Sequence, residues 1–254
     1  MKPPVYFDSV SFAYPESSKV LDRWTLELPS GVTSLMGRNG TGKSTFMLLA
    51  SARFLPQEGT VWLEGHKTHE LNEDQKNRLA SVVYQNMEFE NEEPLGELLE
   101  FVLAQGYLET KAPGLLAEVI QVFELKDFLH QRTQNLSKGQ LQRAIMAFAL
   151  LYGSRVLVMD EPVFALEEAQ KHRALEYLAG WTRQRELAFL YSAHEMELSQ
   201  RYSDNLLLFY TDRPPRLGPT RELFQRATLE EAYQTPFALL KQHEALHRER
   251  LKQN

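Results

Sequence analysis

The sequence has 254 residues, and its 28 basic and 34 acidic side chains give a formal net charge of −6 at pH 7. Its 43% hydrophobic and 24% charged residues exclude a disordered or collagen-like chain. The lack of cysteine excludes disulfides, thiol nucleophiles and cysteine metal sites. The acidic balance argues against broad nucleic-acid binding, which needs a basic surface. The length allows one large domain, or one domain with a subdomain.

Hydropathy gives no sign of a membrane span. The longest apolar run, from Ala144 to Tyr152, is far shorter than the roughly 20 residues that cross a bilayer. The N-terminal residues reach Asp8 before any apolar run forms, unlike a signal peptide. We therefore expect a soluble, cytoplasmic chain.

The first 35 residues predict short strands, because apolar and polar residues alternate there. Two separate strands are predicted at 5–7 and 10–12, followed by strands at 24–28 and 32–36. The residues from Lys43 to Phe54 predict a helix, which is closed by the nearby Pro56 and Gly59. Further strands are predicted at 61–63 and 81–84.

From Asn86 to about Asn135 the apolar residues recur at helical spacing, which predicts a helical insert. The continuous apolar run Val156–Met159 then predicts a strand covered on both faces. Residues 187–191 and 206–209 repeat this character, with helical stretches between them. Strands and helices in alternation predict an α/β fold with a mostly parallel sheet. Residues 237–254 predict a charged, weakly amphipathic helix.

A glycine-rich loop after the strand at 32–36 fits the pattern G-x-x-x-x-G-K-[ST]. Glycines in such a loop let successive backbone N–H groups point at phosphate oxygens, and the following helix N-terminus adds positive partial charge. Lys43 is expected to reach the β- and γ-phosphates, and the Ser44 hydroxyl to bind Mg²⁺. The loop predicts a nucleoside triphosphate site but leaves kinases, GTPases and motors open. Its residues are Gly37, Arg38, Asn39, Gly40, Thr41, Gly42, Lys43, Ser44 and Thr45.

The strand Val156–Met159 ends in two carboxylates, Asp160 and Glu161, before Pro162. In enzymes with this type of phosphate loop, the neighbouring strand delivers an Asp that holds Mg²⁺, which makes Asp160 the candidate. Glu161 is the candidate to polarise the water that attacks the γ-phosphate.

Four further segments, in chain order with these two motifs, resemble the ABC ATPase family. Residues 136–140, Leu-Ser-Lys-Gly-Gln, resemble the LSGGQ signature, and Tyr14 matches the aromatic residue that stacks on adenine. Gln85 falls at the position of the Q-loop glutamine, and His194 at that of the switch histidine. The resemblance extends to about Arg226.

The resemblance implies a nucleotide-binding core at 1–85 and 150–234 with an antiparallel N-terminal β subdomain, a helical subdomain at 86–149 and a helical tail at 235–254. It implies ATP and Mg²⁺ as ligands, with Gln85 offering an amide oxygen to Mg²⁺ and His194 contacting the γ-phosphate. Ser137, Gly139 and Gln140 are expected to bind the γ-phosphate held by a second subunit, so that two cassettes enclose two ATP molecules.

Two positions depart from the family pattern. Lys138 stands where the family usually has Gly. Its cation either favours phosphate binding or faces solvent, and we expect the second. Glu167 stands where the family has Asp; because Glu is a poorer helix cap, altered coupling across the dimer is expected. The acidic residues Glu88, Glu90, Glu92 and Glu93 lie where the membrane partner docks in the family, and they are either a solvated loop or a docking surface.

The function implied is the ATPase subunit of a transporter whose permease subunits are separate chains. Segments 194–204 and 218–224 resemble importers of iron chelates, haem and cobalamin, which favours import and, through the permease, a solute-binding protein. Such a subunit works as a dimer on the cytoplasmic face of the membrane and binds no nucleic acid. The alternatives are a soluble ABC ATPase of translation or DNA repair, and a regulatory cassette that hydrolyses ATP weakly.

Overall fold

The computed structural model describes residues 2–85, 87, 89, 91–109, 111–242 and 244. Its strands form two sheets, one of order β2-β1-β4-β5 and one of order β10-β9-β3-β8-β7-β6. The strands are β1 (Val5–Ala13), β2 (Lys19–Leu28), β3 (Gly31–Met36), β4 (Glu58–Leu63), β5 (His66–Lys67), β6 (Ala80–Val83), β7 (Val156–Met159), β8 (Ala188–Ser192), β9 (Asn205–Leu208) and β10 (Arg216–Pro219).

The first sheet is antiparallel. The two strands predicted at 5–7 and 10–12 are one continuous strand, so that prediction is wrong. The strand is bent because its register shifts between Phe7 and Val10, where Ser9 adopts a left-handed φ of 54°. Gly59 of β4 makes room for this bulge, since a Cβ there would lie 2.3 Å from the Ser9 carbonyl oxygen.

In the second sheet, strands β9, β3, β8, β7 and β6 are parallel, and β10 pairs antiparallel to β9. The expected burial of β7 on both faces is confirmed. Leu157 and Met159 pack into the core shared with the helices, whereas Val156 and Val158 pack into the core between the two sheets. This division follows the two-residue period of a strand, and it confirms the mixed α/β fold.

Helices cover the parallel sheet and form the stretch between β6 and β7. They are α1 (Lys43–Ala50), α2 (Glu73–Leu79), α3 (Leu95–Gln105), α4 (Leu115–Val122), α5 (Lys138–Tyr152), α6 (Glu168–Gln184), α7 (Met196–Tyr202), α8 (Thr220–Leu223) and α9 (Arg226–Tyr233), with residues 237–242 also helical.

One predicted helix boundary differs from the structure. The first helix ends at Ala50 rather than Phe54, because Ala52 turns the backbone into the left-handed region at φ 59°. Helix α5 ends at Tyr152, where Gly153 adopts a φ of 81°, so the expected subdomain boundary at 149 lies within this helix. The division into subdomains stays a prediction. Of the predicted tail helix, residues 243 and 245–254 lie outside the described residues.

Candidate nucleotide-binding site

Residues predicted to bind nucleotide follow four neighbouring parallel strands. The glycine-rich loop follows β3, Gln85 follows β6, Asp160 follows β7 and His194 follows β8. Because carboxyl ends of parallel strands meet at one edge of a sheet, these side chains converge there. They line a groove of about 400 Å³ that also contains Tyr14, Asn39, Gly40, Gly42, Ser44, Thr45 and Glu161.

The loop is shaped by its glycines and by Lys43. Gly37 has φ 141°, and a Cβ there would lie 2.6 Å from the Phe209 carbonyl oxygen. The Lys43 Nζ donates to the carbonyl oxygens of Gly37 at 2.8 Å and Arg38 at 2.9 Å. Burial lowers the pKa of Lys43, and the nearby carboxylates Asp160 and Glu161 act in the opposite direction. The ammonium group is therefore a poorly hydrated cation inside the loop, suited to an anionic phosphate. The Thr41 hydroxyl donates to the Arg38 carbonyl oxygen at 2.8 Å.

Both carboxylate oxygens of Asp160 accept hydrogen bonds. The Ser44 Oγ donates to Oδ2 at 2.6 Å, and the Ser192 Oγ donates to Oδ1 at 2.5 Å. The same Ser192 Oγ accepts the Glu161 N–H at 3.0 Å. The sequence prediction missed Ser192, although a buried polar residue at the end of an apolar strand, two positions before His194, was an available signal.

The oxygen atoms of Ser44 and Asp160 fit Mg²⁺, which prefers hydroxyl and carboxylate oxygens. No group of three or more His, Asp or Glu side chains in the described part of the chain is placed to hold a metal ion. This donor set therefore suits Mg²⁺ bound jointly by one or two protein side chains and nucleotide phosphates.

Glu161 is held from two sides. Its Oε1 lies 2.6 Å from the His194 Nε2, and its Oε2 accepts from the Gln85 Nε2 at 2.7 Å. The hydrogen bond with Glu161 raises the pKa of His194, although burial opposes the effect. The Glu161 backbone has a left-handed φ of 53°, a conformation that is strained for this residue type. The carboxylate thus has a fixed direction at the strand end.

Tyr14 lies in the same groove. Its side chain is 39% exposed, and its hydroxyl hydrogen-bonds the Thr45 Oγ1 at 3.0 Å. Its ring packs edge-on against Phe12 and Phe54, with centroid distances of 5.2 and 6.0 Å. With the ring held in this way, part of its surface is free to contact an aromatic ligand. Stacking of Tyr14 on adenine stays a prediction.

The signature-like residues lie apart from this groove, since none of Ser137, Gly139 and Gln140 lines it. They lie at the N-terminus of α5, where Ser137 is the cap. The Gln140 N–H donates to the Ser137 Oγ at 3.3 Å, and the Ser137 N–H donates to the Gln140 Oε1 at 2.8 Å, which is a capping box. A Cβ on Gly139 would lie 2.8 Å from the Ala165 carbonyl oxygen, so this glycine packs against the loop before α6.

The structure also describes the surroundings of Lys138 and Glu167, the two residues that depart from the family pattern. Lys138 is exposed, as expected. Glu167 precedes α6, and its N–H donates to the Gln170 Oε1 at 3.4 Å. The neighbouring side chain therefore supports this helix start. Altered coupling across a dimer stays a prediction.

The structure describes only part of the acidic segment. Glu88 and Glu90 lie outside the described residues. Glu92 forms an ion pair with Arg132, 2.8 Å between Oε2 and Nη1, and the Glu93 N–H donates to the Asn91 Oδ1 at 3.1 Å. Part of the segment is thus neutralised by a neighbouring basic side chain.

A C-terminal contact to the phosphate loop was not predicted. The Arg38 Nη1 donates to the Gln234 Oε1 at 2.7 Å, and the Gln234 Nε2 donates to the Thr211 Oγ1 at 2.7 Å. Gln234 has φ 49° at the end of α9. No local pattern pairs residues 196 positions apart, so sequence reasoning had no signal for this contact.

Comparison with known proteins identifies the family. The family model described as ABC transporter matches residues 21–164, and the chain therefore belongs to the ABC transporter family. It is an ATPase cassette of that family. The cobalt import ATP-binding protein CbiO of Rhodobacter capsulatus is 29% identical over 235 residues, which cover 90% of this chain and 84% of that protein.

A second relative is the molybdenum import ATP-binding protein ModC of Paramagnetospirillum magneticum. The two sequences are 30% identical over 199 residues, which cover 76% of this chain and 54% of ModC. A solved dimeric ATP-binding cassette in a post-hydrolysis state with ADP and Pi is 21% identical, with a TM-score of 0.73 over 85% of this chain and 99% of that one. Its fold is therefore the fold of this chain. No helix in the described part of the chain is long and apolar enough to cross a membrane.

Proposed function

We propose that the groove binds MgATP and that Glu161 is the catalytic base of its hydrolysis. The observation that carries the proposal is the convergence of Lys43, Asp160, Glu161 and His194 at one sheet edge. The loop amides and the Lys43 ammonium would bind the phosphates, while the exposed face of Tyr14 stacks on the base. Ser44 and Asp160, with Gln85, would hold the Mg²⁺, whose charge helps to neutralise the phosphate oxygens.

The carboxylate of Glu161 is directed by His194 and Gln85, which fix its two oxygens. A fixed carboxylate orients a water molecule and accepts its proton, which contributes about 10²–10⁴-fold to rate. His194, whose imidazole is 39% exposed, would turn from Glu161 to the γ-phosphate when ATP binds. The Gln85 amide would then continue to direct the Glu161 carboxylate. The raised pKa of His194 favours the imidazolium form, which donates a hydrogen bond to phosphate oxygen.

A second copy of the chain would complete the site. The capped helix start at Ser137 presents N–H groups to an anion, yet it lies outside the groove of its own chain. We propose that it closes over the ATP of the other copy in a two-fold dimer. The similar solved cassette, described as dimeric, supports this arrangement.

We further propose that the chain drives import of a small solute, such as a metal chelate, through separate permease subunits fed by a solute-binding protein. The relatives named for cobalt and molybdenum import support this direction. In this role the chain binds the cytoplasmic face of the membrane. Phe101 of α3 is 62% exposed, and Tyr84, beside Gln85, is also exposed. We assign these rings to the permease contact.

The catalytic proposal is tested with Glu161→Gln in the full chain. We expect kcat for ATP hydrolysis to fall at least 100-fold and MgATP to trap a dimer in sedimentation experiments. The exposed Glu222→Gln is the matched control and should behave as the unsubstituted chain. A Glu161→Gln variant that stays monomeric with MgATP and keeps full turnover would remove Glu161 from this role.

The transport proposal is tested by reconstituting the chain in proteoliposomes with candidate permease subunits from the same organism. We expect Phe101→Ser to weaken assembly while the ATPase activity of the isolated chain is unchanged. Leu239→Ser, also at an exposed apolar residue, is the control. Assembly that is equally strong in both variants would contradict the assigned contact, and solute export would contradict the direction.

A further inference from the structure

Three arginines lie at the sheet edge opposite the nucleotide groove. Arg78 precedes β6 by two residues, Arg155 directly precedes β7, and Arg185 precedes β8 by three. These strands are parallel neighbours in the order β8-β7-β6, so their amino ends share one edge. Along β7 the five steps from Arg155 to Asp160 separate the two edges by about 16 Å, at about 3.3 Å per residue.

The arginines line a groove of about 650 Å³. Its other wall is the connection between α3 and α4, which contributes Tyr107 and Leu108. Tyr107 is held at both ends, since its hydroxyl donates to the Asp74 Oδ1 at 2.5 Å and its N–H donates to the Tyr152 carbonyl oxygen at 2.7 Å. The groove lies between the sheet edge and this tyrosine.

Two of the guanidinium groups lie on aromatic rings. The Arg185 Cζ is 3.3 Å from the Trp181 ring centroid, and the Arg78 Cζ is 5.9 Å from that of Tyr107. The Arg185 contact is close enough for stacking, which uses the face of the guanidinium and leaves its N–H donors at the edge available. Stacking also restricts the Arg185 side chain, so less entropy is lost when an anion binds.

The charge of this groove is only partly balanced by its own carboxylates. Among the residues that the structure describes, no carboxylate lies within 4.0 Å of the Arg78 or Arg185 nitrogen atoms, whereas Arg155 is 3.7 Å from Glu64. Glu109 is the acidic residue in the lining. In a chain of net charge −6, three converging arginines are a local concentration of positive charge.

We propose that this groove binds a small organic anion with at least two phosphate or carboxylate groups. Guanidinium groups match such anions with paired N–H donors, and arginines on separate elements call for more than one anionic group. Leu79, Leu108 and Leu187 supply apolar surface for a carbon skeleton. The volume lies within the range of about 300–1,000 Å³ that is usual for small-molecule sites. The site is independent of the nucleotide groove and of the proposed function.

Binding can be measured on the full chain saturated with ADP, which occupies the phosphate loop. The probes are inorganic pyrophosphate and tricarballylate, titrated at low salt by calorimetry and by Trp181 fluorescence, because Arg185 covers that ring. Arg78→Gln and Arg185→Gln should each raise Kd at least 10-fold. Arg185→Lys, which keeps the charge and loses the planar fork, should also raise Kd. The control is Arg221→Gln, whose side chain is 86% exposed and lies outside the groove lining.

Saturable binding of pyrophosphate alone would assign a phosphate ligand, and binding of tricarballylate alone a carboxylate ligand. An unchanged thermal unfolding temperature and ATPase activity would show that the variants are folded. The proposal is overturned if neither probe binds saturably, or if Arg185→Gln binds them as tightly as the unsubstituted chain does.

Discussion

The buried ion pair between Lys171 and Glu195 provides a quantitative prediction. Lys171, in the first turn of α6, is 2% exposed, and Glu195, directly after His194, is 5% exposed. The Lys171 Nζ donates to the Glu195 Oε1, and it lies 3.8 Å from the Glu168 Oε2. Lys171→Met removes the cation and keeps most of the side-chain volume, so the buried Glu195 carboxylate loses its ion pair with Lys171.

Removing one member of a buried ion pair costs about 3–5 kcal/mol. We therefore expect Lys171→Met to lower the free energy of unfolding by about 3 kcal/mol at pH 7.

Urea unfolding followed by circular dichroism at pH 7 measures this loss. The double variant Lys171→Met/Glu195→Leu should regain most of it, since neither member of the pair is left. Lys19→Met serves as the control, because its pair with Asp22 is exposed and exposed pairs contribute little to stability. A loss below about 1 kcal/mol at pH 7, or a double variant that regains none of the loss, would refute the reasoning.

Three further outcomes are expected. Ser192→Ala should lower the free energy of unfolding by about 1–3 kcal/mol in urea, because the Ser192 Oγ bonds both Asp160 and the Glu161 N–H; a loss near zero would contradict this contact. The hydrogen bond with Glu161 raises the pKa of His194, so His194 should make the chain more stable than a His194→Gln variant while the imidazole is protonated. This stabilisation should be full below about pH 6.5 and should disappear as the pH rises through the raised pKa. A difference in unfolding temperature between the two chains that stays constant from pH 5.5 to pH 9 would count against it. Gly153→Ala should lower the unfolding temperature more than Gly114→Ala does. Both glycines have a left-handed φ, but only at Gly153 would a Cβ meet Leu108, at 2.6 Å. Equal decreases in unfolding temperature would show that the backbone strain of about 1–2 kcal/mol is the whole effect.

Much of the candidate site could be predicted because each motif residue follows a strand. A continuous apolar run such as β7 is readable as a buried strand, and parallel strands deliver the residues after them to one edge. Lys43, Asp160, Glu161 and His194 therefore converge as the motif order indicates. The α/β fold and the family were predicted correctly on the same residues.

The parts that sequence reasoning missed depend on pairs far apart in the chain. Arg38 meets Gln234 across 196 positions, and Lys171 meets Glu195 across two elements. In neither pair does the sequence around one residue predict which distant residue it contacts. The bulge at Ser9 was missed for a related reason, since the room for it comes from Gly59 on another strand.

These long-range contacts connect the groove into one network. Ser192 at the end of β8 fixes Asp160 and the Glu161 backbone after β7, and Gln85 after β6 fixes the Glu161 carboxylate. Lys171 joins this network to α6 through Glu195, the residue after His194. Because α6 starts at the Glu167 loop that packs on Gly139 of the signature-like segment, a change at the signature has a physical route to His194. Lys171 lines no part of the groove, and it lies on that route.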